Sequence, residues 1–346
     1  MSQNTIAKRA GALLLVLVCA QSVVASAKDV RIIDDSAYTR ASVLVNVDDG
    51  RRLNLYCTGS GTPTVIFEAG LGDSTKAWGL VQPEISKHTR ACSYDRAGLG
   101  FSDPARVSGT AANAAKDLAQ LLRSANLSPP YILVGHSYGA LIAKLFTFGN
   151  LKSVAGLVLV DPSHEDIGKN IFSIHPEHRV ENKQYLADLK KCLGIDQKEL
   201  ADNGELTTLC VGKAGLRYSE PINTADLNFA TQQPRIAAWT SEMTHVWVES
   251  SDQVRAASRS LGKIPLVVLS REPPQPGPKE TVELRERKNA EVARLHSTTV
   301  ALTTVGDLKI IPNTGHYIQL EEPSAVIDAI LNIINKSVVT RRGDER

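Results

Sequence analysis

Hydrophobic and polar positions fall into two rhythms that alternate along most of the chain. Short apolar runs bounded by turn residues recur at Leu53 to Cys57, Thr64 to Glu68, Arg90 to Tyr94 and Tyr131 to Val134. Leu157 to Val160, Ile264 to Leu269 and Leu308 to Ile311 continue the series. Their lengths and boundaries predict strands, and the largely apolar character of the last three predicts burial on both faces of a parallel sheet. Between the runs, apolar residues recur three and four apart. Thr110 to Ala125 lines up Ala114, Leu118, Leu121 and Leu122 on one helical face, and helices are also expected through about Phe148, over Lys279 to His296, and over Pro323 to Ile334. This order argues for an α/β fold, a mostly parallel sheet flanked by helices.

The interval from about Asp166 to Gly262 breaks the rhythm. It is polar, carries several helical patterns with separated prolines at Pro176, Pro221 and Pro234, and lacks a buried strand. Because the strand pattern resumes directly afterwards, an inserted helical cap fits better than an independent domain. The expected organisation is a core over 28–165, a cap over 166–262, the rest of the core over 263–338 and a polar tail over 339–346. Pro273 to Pro278 reads as an extended loop.

Composition narrows the function classes. With 346 residues, 42% hydrophobic and 22% charged, the chain can bury a large core. A formal net charge of +2 supplies no broad basic field, so no nucleic-acid partner is expected. No apolar run reaches the roughly 18 residues needed to cross a bilayer. At the amino end, Lys8 and Arg9 precede the uncharged stretch Ala10 to Ala20, and Ala25-Ser26-Ala27 supplies a small-x-small cleavage pattern. These features predict a signal peptide over 1–27, export to the periplasm or beyond, and no stable membrane insertion after cleavage. An uncleaved anchor is the alternative, and the bulky Val18 before Cys19 argues against a lipoprotein. Cys57, Cys92, Cys192 and Cys210 then remain, compatible with two disulfides or with four buried thiols. None has the C-x-x-C spacing of a zinc or redox site.

The chemistry concentrates at Gly135-His136-Ser137-Tyr138-Gly139, set directly between the apolar run Tyr131 to Val134 and the helical run from Ala140. A serine on so sharp a strand-to-helix turn is strained and exposed, with free helix N–H groups beside it. Its hydroxyl needs a base. His316, just past the strand Leu308 to Ile311, lies in the kind of loop where a parallel sheet presents active groups. His136 adjoins the serine, but neighbouring side chains on a tight turn diverge, so it is a poor base. His164, Glu165, Asp166, His175 and His178 match no standard metal spacing and read as a solvated face. Trp239, Met243 and Trp247 fit either an apolar acyl pocket beneath the cap or plain cap core.

The order of these pieces resembles the α/β-hydrolase superfamily from about Leu53 to Ile334. Phe67-Glu68-Ala69-Gly70-Leu71-Gly72 is similar to the loop after the third strand, with Ala69-Gly70 in place of the common His-Gly. Tyr94 to Ser102 is similar to the family's Asp-x-x-Gly-x-Gly-x-Ser loop. A dinucleotide site does not fit, since neither Gly70 nor Gly98 starts a complete G-x-G-x-x-G. The resemblance implies oxyanion-hole amides at Leu71 and Tyr138 and a Ser137–His316 pair completed by a carboxylate. The loop after strand seven, Ser270-Arg271-Glu272, holds no aspartate, so Asp161 directly after strand six is preferred and Glu272 stays open. The resemblance also implies that Cys57 pairs with Cys92, leaving Cys192 with Cys210. The expectation is a serine hydrolase acting on a small-molecule acyl substrate, a carboxylic ester first, with no metal or organic cofactor. Aminopeptidase- or amidase-like chemistry, or a catalytically silent binding protein, are the alternatives, and the sequence leaves the oligomeric state open.

Overall fold

The computed structural model describes residues 31–47, 50–211, 215 and 217–344, with side chains described as far as Lys336. The expected signal peptide, 1–27, lies outside them. The strands are β1 (Val43–Asn46), β2 (Arg52–Thr58), β3 (Thr64–Glu68), β4 (Ala91–Tyr94), β5 (Tyr131–His136), β6 (Val154–Val160), β7 (Leu266–Arg271) and β8 (Gly306–Ile311). They form one sheet in the order β1-β2-β4-β3-β5-β6-β7-β8. β2 runs antiparallel to β1 and β4, and every other neighbouring pair is parallel.

The two-residue alternation of the strands divides the core. Leu133, Leu157, Leu159, Leu266 and Val268 point to one face, while Ile132, Val134, Val158, Val160, Val267 and Leu269 point to the other. Because both faces are covered, β5, β6 and β7 carry apolar side chains at almost every position. The core helices are α1 (Gln82–Ile85), α2 (Ala111–Ser124) and α3 (Tyr138–Gly149). The 166–262 interval contributes α4 (Ile167–Ile174), α5 (Pro176–Lys191), α6 (Gln197–Asp202), α7 (Gly204–Cys210), α8 (Glu220–Ala230), α9 (Gln233–His245) and α10 (Ser251–Ala257). The core then resumes with α11 (Val282–Val300), α12 (Ile318–Glu321) and α13 (Pro323–Asp344). A π-turn, Val246–Ser250, separates α9 from α10.

Three features depart from the pattern reading. β1 is an added strand: Val43-Leu44-Val45 is a short run and mostly exposed at the sheet edge. β8 is not buried on both faces, because it is the opposite edge, and Ile310 is 53% exposed. The last helix continues to Asp344, where composition predicts a tail from 339. Disulfides join Cys57 to Cys92, directly opposite each other on β2 and β4, and Cys192 to Cys210 between α5 and α7.

Candidate active site

The carboxyl ends of the parallel strands bring the candidate residues to one edge of the sheet. Ser137 follows β5 with φ 51° and ψ −119°, a left-handed conformation costly for any residue with a Cβ. Its backbone is fixed on both sides: its amide donates to the Val160 carbonyl at 3.1 Å, and its carbonyl accepts from the Ser163 amide at 3.0 Å. The flanking glycines permit this packing. A Cβ on Gly139 would stand 2.4 Å from the Glu68 carbonyl oxygen, and one on Gly135 would stand 2.7 Å from the Gly139 carbonyl oxygen. The elbow therefore sits directly against the end of β3.

Asp161 ends β6 and, like the serine, has a positive φ, 37°. Its Oδ2 lies 2.5 Å from His316 Nδ1, and its Oδ1 accepts from the Arg271 amide at 3.2 Å. Burial pushes the Asp161 carboxyl up. The hydrogen bond from His316, with the charges of His316 and Arg271, outweighs burial and holds it below the usual carboxylate value. An ionised carboxylate only accepts, so His316 Nδ1 donates to it and Nε2 faces away from the pair. Glu272 is directed elsewhere: it is exposed and accepts from the Asn313 amide at 2.7 Å.

Ser137, His316, Asp161, Leu71 and Tyr138 all line one cavity of about 350 Å³. Among the described residues no hydrogen bond holds the Ser137 hydroxyl, and the Leu71 and Tyr138 amides donate to no backbone carbonyl. Met243 and Trp247 also line this cavity. Trp239 does not; it stacks on Arg235, at 5.3 Å, and packs against Tyr185.

His136 shows why adjacency to the serine makes a poor base. Its ring is buried, and its Nε2 donates to the His316 carbonyl at 2.9 Å. Burial, reinforced by nearby His316, depresses its pKa to about 3, so it is neutral and fixes the His316 loop. The expected solvated face at His164 and Glu165 is also corrected. Both are buried, because Glu165 pairs with Lys144, a lysine enclosed in α3. His164 lines the cavity and bonds Thr298 at 3.1 Å.

Other supporting groups left only faint traces in the sequence. His296 Nε2 donates to the Pro162 carbonyl at 3.2 Å and its Nδ1 pairs with the Ser270 hydroxyl at 3.1 Å, bracing the residues after Asp161 and before Arg271. Arg96 Nε and Nη2 reach the two Glu242 oxygens at 2.6 and 3.0 Å. Arg96 also donates to Glu68 at 2.8 Å, the Ala69 carbonyl at 2.7 Å and the Gly70 carbonyl at 2.6 Å. Glu242, from cap helix α9, accepts from the Gly72 amide at 2.7 Å. One buried guanidinium thus ties the Leu71 loop to the cap. The position of Arg96, next to Asp95 in a recognisable loop, was a visible signal; its distant partner Glu242 was not.

Residues 65–329 match the model of the alpha/beta hydrolase family. The chain belongs to that family. Its relatives include the uncharacterized protein YqjL of Bacillus subtilis strain 168, 35% identical over 130 residues, covering 38% of this chain and 51% of that protein. The putative carbamate hydrolase RutD of Yersinia enterocolitica is 36% identical over 111 residues, covering 30% of this chain and 38% of that one. The chain therefore spans about half the length, or less, of these curated relatives. Among solved structures, a putative lipase from Acinetobacter baumannii superposes with TM-score 0.61 at 18% identity, covering 88% of this chain and 94% of that one. A putative epoxide hydrolase mutant from Pseudomonas aeruginosa gives 0.63 at 16% identity, covering 86% and 96%. At such identities the likeness speaks for the alpha/beta hydrolase fold alone.

Proposed function

We propose that this family member is an exported serine hydrolase that cleaves carboxylic esters. Ser137 Oγ attacks the ester carbonyl carbon while His316 Nε2 takes its proton, and the carbonyl π electrons move onto oxygen. The amides of Leu71 and Tyr138 receive that oxyanion. Collapse expels the alkoxide, which leaves as the alcohol with the proton from His316. Water then adds to the acyl-enzyme by the same route and releases the acid. Asp161 keeps the His316 tautomer and stabilises the imidazolium.

The observation that carries this reading is the 2.5 Å His316–Asp161 contact in the cavity that also receives the strained Ser137. The serine–histidine hydrogen bond forms as substrate enters, since such contacts are often long in empty sites. Esters come before amides because an alkoxide leaves more readily than an amide nitrogen. Export rests on the basic start, apolar stretch and small-x-small pattern before residue 28, with the two disulfides in support.

The test is labelling with a fluorophosphonate probe, followed by turnover of p-nitrophenyl esters and aminoacyl p-nitroanilides. We expect labelling that is lost in Ser137→Ala and ester turnover above anilide turnover. A wild-type protein that neither labels nor turns over any of these compounds overturns the reading. Faster anilide than ester cleavage would reassign it to amide chemistry.

A further inference from the structure

A second cavity of about 400 Å³ lies beside the first. The two share Ile167, Trp247, Arg271, Val292 and His296 as wall residues. One wall is a single face of α11: Arg285, Lys288, Asn289, Val292, Ala293 and His296 recur at helical spacing of three and four. From His296, beside Asp161, to Arg285 this face runs about 16 Å along the helix.

Polarity changes along that wall. Past Arg271 and His296, which adjoin the candidate active site, it is apolar, with Val292 and Ala293 facing Ile167, Ile171 and Trp247. At the far end it turns cationic, at Lys288 and Arg285, with His178 and Asn182 of α5 opposite. The lining includes no carboxylate. Glu280, outside the lining, pairs with both cations. Burial raises its pKa, but hydrogen bonds from Lys288, Gly277 and Arg285 outweigh that and hold it at about 2, so it stays ionised. Lys288 and Arg285 therefore face the cavity as the two cations of its lining at this end, with Glu280 behind them and Glu181 of α5 acting on His178 opposite. Arg285 Nε is moreover buried without a hydrogen-bond partner, an unused donor on the guanidinium.

We infer that the second cavity receives one arm of the ester, a flexible apolar chain ending in an anionic group such as a carboxylate. The substrate class is then the ester of an ω-carboxylated chain. From His296 to Lys288 the wall spans about 12 Å of helix, with Val292 and Ala293 as its apolar middle, room for a chain of about eight carbons. Lys288 and the open Arg285 Nε donor receive the terminal anion. Neutral chains of the same length lose that contact and leave the charged end unsatisfied. This inference rests on the ester-hydrolase reading above and names its substrate.

The experiment compares kcat/KM for two matched pairs of aryl and alkyl esters. In the acyl series, mono-p-nitrophenyl suberate is set against p-nitrophenyl octanoate. In the alcohol series, the acetate of 8-hydroxyoctanoic acid is set against octyl acetate. A preference of about tenfold for the anionic member in either series is expected, as for one charge-assisted hydrogen bond. Lys288→Met and Arg285→Met should each bring the ratio towards one, and Lys288→Arg should keep it. A wild-type ratio of one or below in both series, with Ser137 still labelled by fluorophosphonate, overturns this inference alone. A ratio unchanged in both methionine variants overturns it as well. Absence of both labelling and turnover overturns the hydrolase reading and this inference with it.

Discussion

Replacing Glu242 by Gln tests whether the cap positions the Leu71 loop. Glu242 is 4% exposed, and its oxygens accept three hydrogen bonds: one from Arg96 Nε, one from Arg96 Nη2 and one from the Gly72 amide. An amide has a single acceptor oxygen. If that oxygen keeps Arg96 Nη2 and Gly72, the new NH2 group faces Arg96 Nε, donor against donor. The change therefore loses one charge-assisted bond and the neutralising charge beside a buried guanidinium, though Glu68 stays at 2.8 Å. At 1.5–3 kcal/mol for a bond to a charged group, we expect about 2–4 kcal/mol of lost stability. Leu71 adjoins Gly72, so its amide shifts with the loop. Removing an oxyanion donor outright costs about 10²–10³ in kcat, and displacing one should cost about tenfold, with little change in KM. Urea unfolding and steady-state hydrolysis of p-nitrophenyl acetate measure the two effects. A stability loss with kcat within twofold of wild type would show that the brace is structural and leave the positioning argument wrong. Unchanged stability would refute the buried charge pair itself.

Three further outcomes follow from the geometry. Asp161→Asn should lower kcat by about 10⁴ by reversing the His316 tautomer, whereas Glu272→Gln should leave it near wild type; the opposite ranking in initial-rate assays would move the acid to Glu272. His136 is neutral in the fold, with a pKa near 3 against an ordinary 6.5. Between those values the unfolded chain binds the extra proton, so stability present above pH 6.5 is lost on acidification, by up to about 1.4 kcal/mol per pH unit. Denaturant titrations from pH 7 to 4 should show this slope, and His136→Gln should reduce it. Gly139→Ala should cost about 3 kcal/mol, because its methyl meets the Glu68 and Ala69 carbonyls, while Gly149→Ala meets nothing within 4 Å and should be neutral or stabilising in thermal melts.

Legibility followed the range of the interactions. β5, the elbow and α3 are contiguous, so their apolar pattern and two glycines announce the strand, turn and helix together. Asp161 was readable because it terminates an unmistakable buried strand, and its pairing with His316 required only that β6 and β8 end at the same edge. Ile310 misled because an apolar run looks the same at an edge as in the middle of a sheet. Position in the strand order, not composition, decides its exposure. The burial of His164 and Glu165 was hidden for a similar reason. Lys144, the partner that neutralises Glu165, lies on another element, and a lysine within an apolar helix gains meaning only once that partner is known. Glu242 is the extreme case: nothing local distinguishes it from other acidic residues of a polar cap, and its role exists only against Arg96, 146 positions away.

The underside of the cap is fastened to the core at widely separated points. Arg235 bonds the Gly72 carbonyl, Lys76 meets Asp226, and Ser241, Ser250 and Gln253 hold the amides of Gly109, Ala111 and Ala112. Together with the Arg96–Glu242 pair, these bonds make the cap a fixed roof. Lifting it would expose paired charges and break several anchors at once, so traffic has to pass through side openings. Redesign of selectivity should then begin at the doorway residues Pro273 and Ile310 beside the second cavity, because a hinge in this roof is a poor target.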